Sequence, residues 1–440
     1  MQYVKTFKAV SREFIGDINV SEWLSPVLKV FSSQVLLQII GFGISILLIR
    51  QMPKEDYAIY TIFISLLAIL NILSDSGIVL GFNALGGKIW NDEKKFASLL
   101  KTASFLRARI TILAFAIAGI YGMSILISQD SSSFEIFVII GSLLLIVSPE
   151  IHKAFIQQAL LLQKDVGNVQ LLGIIHQGMR LLLIIAVIFL VKVDLTIEWV
   201  LCITIVSVWV SFLFILRKSK HLRSSQAKIN GEYKKVLLHY IKINWHNAAF
   251  FSFQGQISIF LIGILGSTTN LAELGALTRY GLIYTALTAF VTNILGPAFG
   301  KCQEKSKLIK TFLSTLVVIF LFSLATLFVV YLFPTYFLWI LGEQYQQLSY
   351  ELFLVFVAGS IGFVSSTIFT LNSYKGWIRF SRYFEIPANI LSLVLGVIIF
   401  DISTLEGVLY LSIVGASTNL LLYTANSFAG FRYFDKALRL

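Results

Sequence analysis

Charged and polar side chains interrupt the hydrophobic stretches of this chain at a few positions. The stretch VSPEIHKAF places Glu150 and Lys153 three residues apart between two apolar runs. His176 and Arg180 stand four residues apart in a later run, and Arg279 stands in a third. Ionisable groups are expensive in hydrocarbon, so they face a bundle interior or a water-filled cavity. We therefore expect these residues to line a polar site.

The basic members of this set suit the binding of an anion. Arg180, Lys153, Arg279 and His176 would form a cationic patch for a diphosphate or an acidic sugar, since basic side chains donate charge-assisted hydrogen bonds to such groups. Arg180 lies near the middle of its apolar run, roughly 17 Å deep at a rise of about 1.5 Å per residue. For Arg279 an alternative stays open, an interfacial anchor paired with Glu273.

Two carboxylates, Glu150 and Asp75, are candidates for ion coupling. A partly desolvated carboxylate near basic groups can exchange a proton or hold a cation as its surroundings change. For Asp75 the alternative is a structural one, in which the carboxylate caps or braces the end of its helix.

Alternatives also remain open for Arg180 and for Lys153. Arg180 could be held in a structural ion pair with Glu150. Lys153 could extend to the lipid headgroups if its helix left the membrane near Pro149. A helix that continued to residue 162 would instead place Glu150 and Lys153 on one polar stripe that faces a cavity.

The composition indicates which elements position these residues. The chain has 440 residues, of which 57% are hydrophobic and 13% charged, and its mean hydropathy is +0.82. Soluble domains carry about 25% charged residues. Apolar runs of about 18 residues or more recur along the chain, and such runs are typical of membrane-spanning helices. The sequence therefore predicts an all-α polytopic membrane protein, because backbone polar groups in lipid must be satisfied within the segment.

We predict about twelve spans. Their approximate bounds are 28–49, 57–80, 105–127, 134–162, 169–191, 197–216, 243–266, 274–298, 311–333, 350–373, 384–401 and 407–428. The spans divide into two six-helix bundles. The predicted organisation is an amphipathic N-terminal segment at 1–27, a bundle at 28–216, a basic linker at 217–242, a bundle at 243–428 and a tail at 429–440.

The distribution of basic residues predicts the orientation. Most of the 35 lysine and arginine residues fall in the two terminal segments and in alternate loops, and the loops of the other side hold Arg50, Lys54 and Lys192. Basic loops stay in the cytoplasm, so we expect both termini there. This topology explains the net charge of +12, and nucleic acid is not an expected partner.

Several function classes are disfavoured by what the chain contains. Its two cysteines offer no metal spacing and no disulfide framework. We find no glycine-rich ATP-binding motif and no long external loop of the kind that a membrane glycan polymerase would carry its catalytic residues on. We therefore expect a transporter without a cofactor rather than an enzyme.

The two halves resemble each other. Aligning Tyr57 with Gly275 places Asp75 opposite Asn293. Since each half has an even number of helices, the halves run in the same direction and are related by an axis along the membrane normal. Transporters built from repeats bind their substrates at the interface between the repeats.

The turn and helix motifs of the chain resemble a known superfamily. IRQMPKEDYAIYTIFISLLAIL, LSDSG, STTNLAELGALTRYG and LWILGEQYQQ are similar to the multidrug/oligosaccharidyl-lipid/polysaccharide (MOP) exporter superfamily and, within it, to Wzx-type polysaccharide flippases. The resemblance extends from about residue 30 to residue 428. One departure is Ala58, which follows Tyr57 where the family usually has glycine.

This resemblance implies a V-shaped transporter, like the multidrug (MATE) members, in the bacterial inner membrane. Such flippases move undecaprenyl-diphosphate-linked sugar repeat units from the cytoplasmic to the periplasmic leaflet for O-antigen (lipopolysaccharide), capsule or exopolysaccharide synthesis. The resemblance also implies a cationic cavity, coupling to protons or sodium, and work beside membrane lipids and polysaccharide polymerase or chain-length proteins. The alternative is a proton- or sodium-coupled multidrug or metabolite antiporter of the same superfamily.

Overall fold

The computed structural model describes residues 20–163, 165–191, 193–222 and 227–437. Every regular element within these ranges is helical. Most of the predicted N-terminal segment 1–27, the last three residues of the predicted tail and Lys192 lie outside the described residues.

The first half of the chain is built from long helices joined by short turns. They are α1 (Val20–Gln51), α2 (Lys54–Asp75), α3 (Ile78–Ile89), α4 (Glu93–Ser128), α5 (Ser133–Leu162), α6 (Val166–Ala186) and α7 (Ile197–Lys218). A π-helical turn, Val187–Val191, continues α6.

The second half contains more interruptions. Its helices are α8 (Gly231–Gln254), α9 (Ile257–Leu265), α10 (Thr268–Leu277), α11 (Gly281–Phe290), α12 (Gly296–Lys301), α13 (Lys305–Leu332), α14 (Pro334–Leu341), α15 (Ser349–Lys375), α16 (Ser381–Ile399) and α17 (Leu405–Ala437). Helices α10, α11 and α12 follow one another through short 3₁₀ and π-helical turns and form one run, Thr268–Lys301.

The number of spans agrees with the sequence. Within the described residues, 11 helical runs are long and apolar enough to cross a membrane, and the bent pair α8–α9 would raise this to 12. The prediction of an all-α polytopic protein with about twelve spans is confirmed, and the chain is a multi-pass membrane protein.

The predicted span 57–80 is too long, because α2 ends at Asp75. Ser76 and Gly77 adopt left-handed backbone conformations with φ of 41° and 86°. A side chain at Gly77 would also meet Asn244 of α8 at 2.6 Å. The Asp75 carboxylate then accepts the Val79 N–H at 3.1 Å, which caps the start of α3.

The predicted span 134–162 forms one helix. Helix α5 begins at a capping box made by Ser132 and Glu135 and continues through Pro149 to Leu162. Helix α5 therefore does not end at Pro149, and the side chains that follow the proline stay on a continuous helix, where Lys153 is 4% exposed.

The predicted span 243–266 is split. Helix α8 begins at Gly231, where the Asn230 side chain accepts the N–H groups of the first turn, and α8 and α9 meet at a bend of 50°. The helix thus begins inside the segment 217–242, which the sequence predicts as a linker because of its charges. Helix α8 packs on the first half, where Leu237 and Tyr240 lie 3.0 Å from the position of a Cβ at Gly81.

The two ends of the bundle differ in how the halves meet. We call the end that carries the turns at 51–53, 129–132 and 342–348 the short-loop face, and the end that carries 90–92 and 302–304 the basic face. One hydrophobic cluster joins both halves toward the short-loop face and includes Phe63, Ile125, Leu274 and Tyr345. Toward the basic face there are two separate clusters, one around Phe82, Phe155 and the α8 residue Leu237, the other around Phe299 and Phe312. The halves therefore share a core at one end and, apart from α8, keep separate cores at the other.

Candidate functional site

Helices α2 and α10 bring the two halves together at the short-loop face. Gly275 of α10 is buried, and a Cβ there would lie 2.2 Å from Thr61 Oγ1 of α2. The glycine therefore permits a close helix approach. Tyr57 Oη donates to the Gly275 carbonyl at 3.4 Å. Tyr57 and Gly275 are the residues that the internal repeat aligns, and their contact is expected for equivalent residues near a two-fold axis between the halves.

Polar contacts between the halves surround this approach. Lys54 Nζ lies 3.1 Å from Glu273 Oε1, and Glu273 is 6% exposed. The Arg50 guanidinium donates to the carbonyls of Trp339 and Ile340 at 2.5 and 3.0 Å. These carbonyls lie in the last turn of α14, where a positive charge is favoured by the helix dipole. The contacts stabilise closure of the short-loop face.

Arg180 and Arg279 lie next to this closure and share one aromatic ring. Arg180 Nη2 donates to Tyr60 Oη at 2.6 Å, and its Cζ lies 5.8 Å from the ring centroid. The Cζ of Arg279 lies 5.9 Å from the same centroid. The two guanidinium carbons are therefore no farther apart than the sum of these distances. We call these residues the arginine pair.

The arginine pair combines one residue from each half. Arg180 belongs to α6 of the first half, and Arg279 follows α10 in the second. Arg279 Nε donates to Tyr57 Oη at 3.2 Å, and Tyr57 is fully buried. Since this hydroxyl also donates to the Gly275 carbonyl, Tyr57 connects Arg279 to the first half.

Within the part of the chain that the structure describes, the charges of the arginine pair have no carboxylate partner. Among the described residues, no carboxylate oxygen lies within 4.0 Å of Arg180 or Arg279. In the same part of the chain, Arg180 Nε has no hydrogen-bond partner. The structure does not contain the expected alternatives, an Arg180–Glu150 ion pair and an Arg279–Glu273 pair, because Glu150 pairs with Lys153 and Glu273 with Lys54. Within the described residues, neither guanidinium is therefore neutralised by a carboxylate.

Lys153 differs from the arginine pair. It is 4% exposed, and its Nζ lies 2.5 Å from Glu150 Oε2, one turn earlier on α5. The sequence correctly places both residues on one stripe of the helix, but the lysine charge is neutralised within that helix. Its predicted role as an anion ligand would require the pair to separate.

His176 and Asp75 have partners other than those of the arginine pair, although His176 precedes Arg180 by one turn of α6. The His176 ring lies 3.5 Å from the Ser211 hydroxyl of α7, and Asp75 caps α3. The structural alternative for Asp75 is thus observed. Among the described residues, no group of three or more His, Cys, Asp or Glu side chains is placed to hold a metal ion.

Three residues were missed by reasoning from the sequence. Tyr57 and Tyr60 occupy one face of the first turns of α2 and hold the arginine pair; the signal was two tyrosines three residues apart in the quoted motif KEDYAIY. Arg107 of α4 is 5% exposed, with its Cζ 5.2 Å from the Phe155 ring centroid. Because Arg107 stands near the start of the predicted span 105–127, nothing in the sequence indicated that it is buried.

Comparison with known proteins identifies the architecture. No protein-family model matches the chain, and no curated protein matches it significantly. A multidrug resistance MATE family transporter of the MOP superfamily, in an inward-facing conformation, matches with a TM-score of 0.69 and 14% identity over 92% of this chain and 95% of that chain. The fold is that of MOP-superfamily transporters.

A lipid flippase shares this fold. Lipid II flippase MurJ in an inward closed conformation matches with a TM-score of 0.67 and 13% identity, over 92% of this chain and 89% of MurJ. A MATE transporter of the superfamily in an outward-facing conformation matches with a TM-score of 0.52 and 15% identity, over 92% of this chain and 94% of that chain.

Proposed function

We propose that this protein is a flippase for undecaprenyl-diphosphate-linked oligosaccharide repeat units, of the Wzx type. It would act in the bacterial inner membrane with the basic face and both termini in the cytoplasm. Its product would supply O-antigen, capsule or exopolysaccharide synthesis, beside polymerase and chain-length proteins. The observation that carries this proposal is the arginine pair, two guanidiniums at the interface between the halves that have no carboxylate partner among the described residues.

The chemistry of the arginine pair fits a diphosphate. A guanidinium presents parallel N–H donors that match phosphate oxygens, and it keeps its charge at any physiological pH. Two such groups near one tyrosine ring can neutralise a headgroup with two negative charges. The bulky sugar would extend toward the basic face, where the two halves keep separate cores, and the prenyl chain would remain in lipid.

The direction of transport has a simple energetic basis. An anionic headgroup that leaves the cytoplasm moves down an inside-negative membrane potential, which contributes about 2.3 kcal/mol per charge per 100 mV. Proton or sodium coupling would add to this. Of the two predicted coupling residues, Glu150 is the better placed, because its partner Lys153 could release it when an anion binds nearby, whereas Asp75 is engaged in capping α3.

The second candidate is a multidrug or metabolite antiporter of the same superfamily. The overlap with a multidrug resistance transporter favours it. An organic cation would require an acidic site, and the second half does contain a carboxylate in its helices, Glu385, which accepts from Tyr423 at 2.5 Å. The arginine pair lies at the interface between the halves and would repel such a cargo, so we prefer the anionic substrate.

A transport assay separates these two functions. The full-length protein is reconstituted in vesicles with a fluorescent prenyl-diphosphate oligosaccharide, and quenching from outside reports its movement between leaflets. In parallel vesicles, uptake of ethidium against a proton or sodium gradient is measured. We expect movement of the lipid-linked sugar above empty vesicles and ethidium uptake equal to that of empty vesicles.

The variant Arg180→Gln gives the internal control. We expect this variant to insert in normal amounts and to move no lipid-linked sugar between the leaflets. In cells, the same variant should stop polysaccharide export while its protein level stays normal. Ethidium uptake that survives in the variant, with no movement of the sugar lipid in either protein, would favour the antiporter.

A further inference from the structure

The arginine pair depends on the contact between the two halves. Arg180 and Tyr60 both belong to the first half, and their 2.6 Å hydrogen bond lies within it. Arg279 reaches the same ring from the second half, because Tyr57 holds its Nε and Gly275 lets α10 approach α2. Separation of α2 from α10 would therefore leave Arg180 in place and remove Arg279.

We propose that the anion site of this protein is assembled only while the short-loop face is closed, and that opening this face dismantles the site and releases the anionic headgroup. This inference rests on the proposed function and adds a state dependence to it. Tyr60 acts as a positioning residue. It holds Arg180 close to the place that Arg279 occupies when the short-loop face is closed.

The state dependence has a thermodynamic consequence. A ligand that contacts both guanidiniums binds the closed state more tightly, and by linkage it stabilises closure of the short-loop face. Loss of one charge-assisted contact weakens binding by about 10- to 100-fold. An anion would thus be taken up with high affinity from the basic face and released with low affinity at the short-loop face.

A disulfide can hold the closed state. Ile125 of α4 and Gly263 of α9 belong to different halves, and a Cβ built on Gly263 lies 4.0 Å from the Ile125 Cβ. This separation is within the range of about 3.5–4.5 Å that disulfides require. The pair Ile125→Cys/Gly263→Cys, placed on a Cys202→Ser/Cys302→Ser background, should therefore cross-link without moving the helices.

A charge reversal can open the same face. Glu273→Lys places two ammonium groups where Lys54 and Glu273 now lie 3.1 Å apart. The matched control is the exchange Lys54→Glu/Glu273→Lys, which reverses the pair and restores its attraction. Neither variant alters Arg180, Arg279, Tyr57 or Tyr60.

The test measures binding of farnesyl diphosphate to the purified full-length proteins by calorimetry, with farnesol as the uncharged reference. We expect Glu273→Lys to bind at least about tenfold more weakly than the parent protein, as one lost contact of this kind would give. We also expect the oxidised Ile125→Cys/Gly263→Cys cross-link in the Glu273→Lys background to restore the parent affinity, and the charge exchange to restore it without a cross-link.

The outcomes separate this inference from the proposed function. The Ile125→Cys/Gly263→Cys pair in the Glu273→Lys background can be measured both reduced and cross-linked. Equal diphosphate affinity in these two forms, together with loss of binding in Arg180→Gln, would overturn the state dependence but would still support the anion site. Absence of diphosphate binding in every form, the cross-linked parent included, would overturn the proposed function itself. Recovery of binding upon cross-linking also demonstrates that Glu273→Lys is folded.

Discussion

The three basic residues Lys153, Arg180 and Arg279 lie within spans and have two opposite kinds of surroundings. Lys153 is buried and carries its counter-charge on its own helix, since Glu150 stands one turn away at 2.5 Å. Arg180 and Arg279 are also within spans, but their partners are tyrosine hydroxyls and one tyrosine ring. The difference shows that depth in a membrane helix does not by itself make a basic residue a ligand site. The available charge lies where the two halves meet, and the neutral pair lies within one half.

The largest expected effect comes from removal of a guanidinium. Arg180→Gln or Arg279→Gln should weaken diphosphate binding by about 10- to 100-fold, since each loses one charge-assisted contact. The matched control is Arg109→Gln, because Arg109 is exposed and stacks on Phe105 of its own helix at 4.2 Å. Calorimetry with farnesyl diphosphate measures the change, and equal losses in all three variants would mean that general surface charge, rather than the arginine pair, attracts the anion.

Breaking the neutral pair should affect stability more than binding. Glu150→Gln leaves the buried Lys153 ammonium without its partner, which costs about 3 kcal/mol or more. The double variant Glu150→Gln/Lys153→Met removes both charges and should regain most of that stability. Thermal unfolding in detergent reports the stability, and diphosphate affinity should stay within about twofold of the parent. A loss of affinity in the double variant that matched the loss in Arg180→Gln would place Lys153 in the anion site.

The approach of the halves can be blocked at Gly275. Gly275→Ala would place its Cβ 2.2 Å from Thr61 Oγ1, and overpacking of this kind costs about 1–3 kcal/mol. We expect weaker diphosphate binding, by roughly 5- to 100-fold if the whole cost falls on closure. Gly281→Ala is the control, because a Cβ there meets no atom within 4 Å in the described structure. Thr61→Ala should partly rescue Gly275→Ala, and failure of this rescue would mean that the close approach is not the cause.

The smallest effect is expected at Tyr60. Tyr60→Phe removes the hydroxyl that accepts from Arg180 and keeps the ring near both guanidiniums. A net hydrogen bond contributes about 0.5–1.5 kcal/mol, so affinity should fall about 2- to 10-fold. Tyr60→Leu, which also removes the ring, should lower the diphosphate affinity further. Equal affinities in the two variants would show that the ring contributes nothing to the site.

The sequence predicted the fold better than the site. Long apolar runs are a local signal, so the number of spans followed from composition and periodicity. The sequence left open whether α5 continues past Pro149, which the structure shows. The end of α2 at Asp75 and the early start of α8 were missed, because a left-handed turn and a helix rich in charged residues depend on local caps and on packing against the other half.

The partners of the charged residues could not be predicted. The sequence indicated Arg180, Lys153 and Arg279 as deep basic residues. The side chains that surround Arg180 and Arg279 are far away along the chain, so the sequence could not show whether each charge has a carboxylate partner. Tyr60 lies 120 residues from Arg180, and Tyr57 lies 222 residues from Arg279. Such contacts are fixed by tertiary packing. The Lys153–Glu150 pair, three residues apart, is the one that helix periodicity could have found.

We propose that the arginine pair makes this protein a transporter of an anionic lipid headgroup. The most direct test compares, in reconstituted vesicles, the movement of a prenyl-diphosphate oligosaccharide with that of the same oligosaccharide on an uncharged prenyl glycoside. We predict that the parent protein moves the diphosphate at least about tenfold faster, as one charge-assisted contact would give, and that Arg180→Gln/Arg279→Gln abolishes this preference. Equal rates for the two lipids in the parent protein, or an unchanged preference in the double variant, would contradict the claim.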